Sequence, residues 1–324
     1  MRLLPFILVL FAAPALAAES KPLELVTKIP LGDIRGRIDH FAVDVERARL
    51  FVAELGNESL GVIDLRKGRV IRTLTELHEP QGIGYVPSTD TLYVANARDG
   101  SVKLFHGGFL APAGEIALGD DSDNVRVDDQ AHRVFVGYGT GALAVIDTGT
   151  KSRIADVPLQ AHPESFGLEP GGKRIFVNVP DTAEIAVVDR ATNKQVASWP
   201  TGSLRWNFPM ALDAAGHLLT VFRQPAKLAM FRAQDGHLMF SVPTCKDADD
   251  LFVDGHRNRV YVSCGEGFID VFSAQGEQYL RVAHLRTANG ARTSLFVPET
   301  DRLYLAVRDN GDVPAAVWVF RPTE

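Results

Sequence analysis

The sequence predicts an all-β fold, a seven-bladed β-propeller of four-stranded antiparallel blades. Three observations lead there. A short strand pattern recurs seven times at even spacing. Each copy holds several strand-like segments and no helical period. The chain also opens with a strand-like segment of the kind its last copy lacks.

The repeat is clearest in the second strand of each copy: RLFVAE, TLYVAN, RVFVGY, RIFVNV, HLLTVF, RVYVSC and RLYLAV. Their third residues are Phe51, Tyr93, Phe135, Phe176, Leu219, Tyr261 and Tyr304, spaced 41 to 43 residues apart. The first copy shows the internal order. DHFAVD is strand A, VERA a turn, RLFVAE strand B, SLGVID strand C and VIRTLTE strand D. Each is short, rich in β-branched or aromatic residues, and bounded by turn formers. Four strands in about 42 residues is the period of a propeller blade. The fifth copy departs from the pattern: HLLTVF lacks the aromatic, and its A–B turn is one residue shorter.

The seventh copy stops after its third strand, at VWVFRPTE. LELVTKIPL, Leu23 to Leu31, reads as an orphan D strand like VIRTLTE and QVASWP. The N-terminal strand is therefore expected to complete the last blade and close the ring, which removes a sheet edge. A solenoid would need capping repeats at both ends, and none is visible.

The aromatic-Val pairs followed by Ala-Glu or Ala-Asn resemble YVTN-type repeats, best seen in TLYVANARDGSVKLF. On that basis the chain is similar to the YncE-like exported seven-bladed propellers. The resemblance covers the whole mature chain. It implies the fold, and it implies no defined reaction.

MRLLPFILVLFAAPALAAES reads as a secretory leader, with Arg2 ahead of an apolar stretch and Ala15-Leu16-Ala17 as a small-x-small cleavage site. Residues 1–17 are thus expected to be a signal peptide and 18–324 a single propeller domain. The apolar stretch is too short for a membrane span, and none follows it. The expected location is the periplasm or the exterior. There, two cysteines tend to be bridged. Cys245 precedes strand A of blade 6 and Cys264 ends its strand B, so a disulfide between them is expected. The 324 residues are 46% hydrophobic and 23% charged, which supplies ample core material. Net charge is −6 and no basic run occurs, so nucleic acid is not an expected partner. A monomer is expected.

In a propeller the A strands line a central channel, and the D–A and B–C loops share one face, the top. Counting twelve residues back from each B-strand aromatic gives Asp39, Gln81, Asp123, Glu164, Asn207, Asp249 and Arg292. The next position gives His40, Gly82, Asn124, Ser165, Phe208, Asp250 and Thr293, with the blade 5 pair open to a shift of one. Four carboxylates, Asp39, Asp123, Glu164 and Asp249, thus share one level. His78, Glu79, Asp121, His162 and Asp247 lie nearby. Glu54, Asn57, Asn96, Arg98, Tyr138, Asn178, Arg223, Glu266 and Arg308 join the same face from the B–C loops. Arg98, Arg223, Arg292 and Arg308 are suited to a ligand carboxylate.

Converging carboxylates raise one another's pKa unless something compensates. Arg292 can compensate one or two. A divalent cation such as calcium, held by Asp39, Asp123, Glu164 and Asp249, is the candidate for the rest. A transition ion would draw on His40 or His162. The plainer alternative is a wet polar funnel whose acids bond backbone amides. No cofactor is otherwise specified.

Other motifs carry less. GYGTGALAVID is not a dinucleotide fingerprint, because a strand follows where a helix should. Asp64, Asp147 and Asp189 after strand C read as turn formers. His132, His217 and His256 fall in A–B turns on the opposite face. GxSxG and HExxH are absent, and Ser165, His162 and Asp123 assemble a triad only on paper. The expected function is a binding protein or scaffold that takes a small ligand or a protein at its acidic channel mouth. The alternative is a metal-dependent, lactonase-like hydrolase or lyase using the same ring.

Overall fold

The computed structural model describes residues 21–324, so the expected leader and the start at Ala18 lie outside the described residues. Seven four-stranded antiparallel sheets make seven blades. Blade 1 runs Phe41–Asp44, Arg49–Glu54, Ser59–Asp64 and Arg69–Leu74. The innermost strands of blades 2 to 7 are Pro80–Val86, Val125–Asp128, Phe166–Leu168, Arg205–Leu212, Ala248–Asp254 and Ser294–Val297. Among the described residues helix occurs only as four three-residue 3₁₀ turns.

The N-terminal strand closes the ring. Leu23–Pro30 pairs antiparallel with Ala316–Pro322, from Leu23 opposite Pro322 to Pro30 opposite Ala316. A bulge between Leu25 and Thr27 identifies it as a true D strand. In each other blade the C–D pair carries a bulge at the matching place, as between Val62 and Ile63 or Val187 and Val188. An extra residue there coils the outer strand and keeps the rim from presenting a flat edge.

Burial follows position in the blade. All six residues of RLFVAE are buried, because strand B is flanked by strands and its blade is stacked between two others. The outer strand Ser152–Pro158 is mostly exposed. The B-strand aromatics Phe51, Tyr93 and Phe176 are wholly buried. Seven apolar clusters each fill the gap between two neighbouring blades. The cluster between blades 7 and 1 joins Ile29, Leu31, Tyr304 and Val317 to Phe41, Leu50 and Val52. The expected turn formers hold: Asp64 accepts from the amides of Arg66 and Lys67 at 3.0 Å each, and Asp189 from those of Ala191 and Thr192.

Backbone bonds tie each D–A loop to a B–C turn, as in Leu77 N to Glu58 O, Ala97 N to Glu79 O and Thr287 N to Gly267 O. The two loop sets therefore form one face around the channel.

Candidate functional site at the channel mouth

The mouth is built by one backbone device. Where strand A begins, Asp39 N donates to Ala53 O at 2.8 Å, Asp123 N to Gly137 O at 2.9 Å, and Glu164 N to Asn178 O at 3.0 Å. The shared pairing in blades 1, 3 and 4 puts these three side chains at one level. Register in blade 5 differs from the count. Met210 pairs with Thr220 where Phe41 pairs with Val52, so Phe208 holds the ring level and Asn207 stands one residue before it. Asn207 is fully buried, donating to Asn178 Oδ1 at 2.8 Å and Glu184 O at 2.9 Å across the blade 4–5 interface. The short A–B turn of blade 5 causes the shift.

Asp39, Asp123, Glu164 and Asp249 do converge, and they do so around a residue that the repeat count does not single out. Arg37, in the loop before strand A of blade 1, interacts with all four carboxylates. Partial burial opposes its charge, yet these acids hold it more firmly protonated than a free arginine. Its Nη2 lies 2.7 Å from Asp39 Oδ2, close enough for an ion pair without the alignment of a hydrogen bond.

The other ring acids also have partners. Asp249 meets Arg223 at 2.5 Å and Arg292 at 3.0 Å, and Arg292 also reaches Asp247 at 2.8 Å. Arg223 stacks over the Phe208 ring at 3.6 Å. Asp123 faces His162 at 3.9 Å. His162 in turn sits 2.7 Å from Gly139 O and 3.5 Å from Asp121. Burial works against the His162 charge, but Asp123, the Gly139 carbonyl and Asp121 outweigh it and push its pKa to about 9. Burial alone would raise Asp123, and His162, His40 and Arg37 bring it below the usual carboxylate value. In Asp39 burial prevails over His40 and Arg37, and its pKa is raised.

Glu164 differs from the other three. No hydrogen bond or ion pair holds its carboxyl among the described residues, and burial together with Asp123 and Asp249 pushes its pKa to about 8. Gln81 is buried at the same level in blade 2, and buried Asn124 leaves its Oδ1 unbonded. His40 is one level deeper, 3.7 Å from Asp39 and 4.0 Å from Asp250. Asp250 accepts from Ser294 N at 2.6 Å, and burial lifts its pKa to about 6 against His40 and that amide. Ser165 Oγ accepts from Arg126 at 3.0 Å, so its hydroxyl serves a guanidinium rather than His162.

Several loop residues prove structural. Glu54 is buried and accepts from Ser59 Oγ at 2.6 Å, and Asn178 donates to Phe208 O at 2.9 Å across a blade boundary. Arg98 is exposed and pairs with Glu58 and with Glu79, the latter at 2.8 Å. Cys245 and Cys264 form the expected disulfide, with Cα atoms 5.9 Å apart. It anchors the loop that presents Asp247 and Asp249. Among the described residues no three His, Cys, Asp or Glu side chains are arranged to hold a metal ion.

No protein-family model and no curated protein sequence matches the chain. Solved structures resemble it in fold. A chain of the Kuenenia stuttgartiensis hydrazine synthase aligns with a TM-score of 0.77 at 16% identity, covering 90% of this chain and 97% of that one. A chain of a mitotic checkpoint complex aligns with a TM-score of 0.80 at 13% identity, covering 100% and 99%. At such identities the shared property is the propeller itself.

Proposed function

We infer that this propeller is a binding module, and that its channel mouth takes a small molecule or peptide segment carrying a cationic group. A propeller ring is compatible with such a scaffold role, and no helix among the described residues is long and apolar enough to cross a membrane. The observation that carries the reading is Glu164, a ring carboxyl with no ion pair or hydrogen bond among the described residues, on which Arg37, His162 and Arg223 act only from longer range. An incoming ammonium or guanidinium would supply the partner that Arg37, His162, Arg223 and Arg292 give to its neighbours. It would also draw Glu164 into its charged form, so binding at pH values below about 8, where the free carboxyl holds its proton, would release one. The exposed part of Arg37 offers a second contact to a ligand carboxylate.

The test is calorimetric titration of the purified protein with lysine-containing tripeptides and their glutamate counterparts. Lysine peptides should bind saturably, and Glu164→Gln should weaken them by about tenfold. Equal binding of the glutamate series, or an unchanged E164Q, refutes the reading.

The same proposal makes the protein an exported monomer of the YncE-like kind, processed after residue 17. The leader-like start and the disulfide support this, since such bridges persist in oxidising compartments. Mass spectrometry of the protein recovered from the periplasm tests it, with Ala18 the expected first residue. The alternative, a metal-dependent hydrolase or lyase, has weaker support, because three of the four ring acids, Asp39, Asp123 and Asp249, already face guanidinium or imidazole groups.

A further inference from the structure

Below the ring, the innermost strands enclose a half-open cavity of about 430 Å³. That is within the range of small-molecule pockets. Its walls mix polar and apolar surface in about equal parts, with Phe41, Ile83, Val125, Met210 and Phe252 among the apolar side chains. Polar groups gather at one end: His40, Arg126, Ser165, Asp250 and Ser294. Ser165, Asp250 and Ser294 are buried, whereas Val43, Tyr85, Val127 and Leu212 toward the A–B turns are partly exposed. The cavity therefore opens on the face opposite the ring, and its charged groups lie at the end nearer the ring, where His40 and Arg126 are partly exposed.

Arg126 stands out in two ways. It occupies the strand A position that pairs with the B-strand aromatic, here Phe135. The equivalent residues are Ala42, Gly84, Gly167 and Ala211 in four blades and Phe252 and Leu295 in two. Six blades thus use a small or apolar residue where the third carries a guanidinium. Packing does not ask for a charge there.

Second, the guanidinium is not ion-paired. Its Nη1 donates to Val125 O at 2.9 Å and its Nη2 to Ser165 Oγ at 3.0 Å, both neutral acceptors. Among the described residues no carboxylate comes within 4.0 Å of it. Asp250, across the channel, is bonded to Ser294 N and faces His40. Burial lowers the Arg126 pKa, and Asp250 and Asp123 only partly offset this. A buried cation with no carboxylate in direct contact is costly unless an anion joins it.

We propose that the channel is a second binding site, separate from the mouth, for a small amphipathic carboxylate, whose anionic head meets Arg126 at the end nearer the ring and whose apolar body fills the channel toward the A–B face. The free N–H groups of a guanidinium suit a carboxylate's two oxygens, and the apolar walls suit an alkyl or aryl chain.

The probe is octanoate, with octylamine and 1-octanol as cationic and neutral controls, titrated calorimetrically into the intact protein. Octanoate should bind saturably and the two controls at least about tenfold more weakly. Arg126→Met should lose about tenfold or more of the octanoate affinity and Arg126→Lys should keep part of it, while Glu164→Gln should leave it unchanged. That last result separates this site from the mouth. Should R126M fail to fold, Leu295→Trp, which narrows the channel and leaves the charge in place, must weaken octanoate binding. Absence of saturable octanoate binding overturns the proposal. So do equal affinity for 1-octanol, an unchanged affinity in folded R126M, and an unchanged affinity in L295W.

Discussion

Arg37 Nη2 sits 2.7 Å from Asp39 Oδ2, two residues along the same loop, yet its charge also serves Asp123, Glu164 and Asp249 from three other blades. One loop cation thus offsets part of the charge of all four ring acids. Arg37→Gln should raise the pKa of the ring carboxyls and destabilise the protein more at pH 8 than at pH 5, because the acids then repel without it. Thermal unfolding at the two pH values checks this.

Stability should fall from pH 5 to pH 9. Glu164 has a folded pKa pushed to about 8, against 4.5 for an ordinary glutamate, so the folded state holds that proton more tightly than the unfolded chain. Its contribution is lost as pH rises between those values. His162, at about 9 against 6.5, acts in the same direction over a higher window. E164Q should flatten the lower part of the curve and His162→Gln the upper part, as read from Tm against pH.

Asp249→Ala removes the more buried of the two carboxylates that Arg223 and Arg292 share and leaves them only Asp247. Both arginines keep some solvent contact, which moderates the loss. The expected cost is about 1–3 kcal/mol by urea denaturation.

Reducing the disulfide, or Cys245→Ser with Cys264→Ser, should cost about 3 kcal/mol for a loop of 19 residues. Secondary structure should persist by circular dichroism. The arginine contacts of Asp247 and Asp249 should loosen, visible as lower amide protection in residues 245–250.

Gly82→Ala should destabilise by about 1–3 kcal/mol or more. A Cβ there would lie 1.9 Å from the Asp123 carbonyl oxygen, a backbone atom that cannot rotate away. The glycine lets the innermost strands of blades 2 and 3 approach closely just where Asp123 joins the ring. Chemical denaturation of G82A tests it.

Most of the architecture was legible because each blade repeats a burial pattern that its B strand states in six letters. Ring closure was legible from counting strands, and the bulge shared by Leu25–Thr27 and its counterparts bears it out. Six ring positions followed from spacing. The seventh slipped because a turn one residue shorter moves the register, which placed Phe208 where Asn207 was expected. Arg37 was not legible, since a loop side chain's reach depends on coordinates and not on period. Arg126 carried a signal that alignment of the A strands exposes: one charge in a column of small and apolar residues.

Leu23–Pro30 is the first described strand to leave the ribosome, and its partner Ala316–Pro322 is almost the last. Until Ala316–Pro322 is made, the first strand has no sheet to join, and Leu23, Ile29 and Leu31 lack the partners that bury them. The final blade can be zipped only after the other six are spelled out. These two strands thus act as a clasp, and a polypeptide truncated before Ala316 cannot fasten its ring.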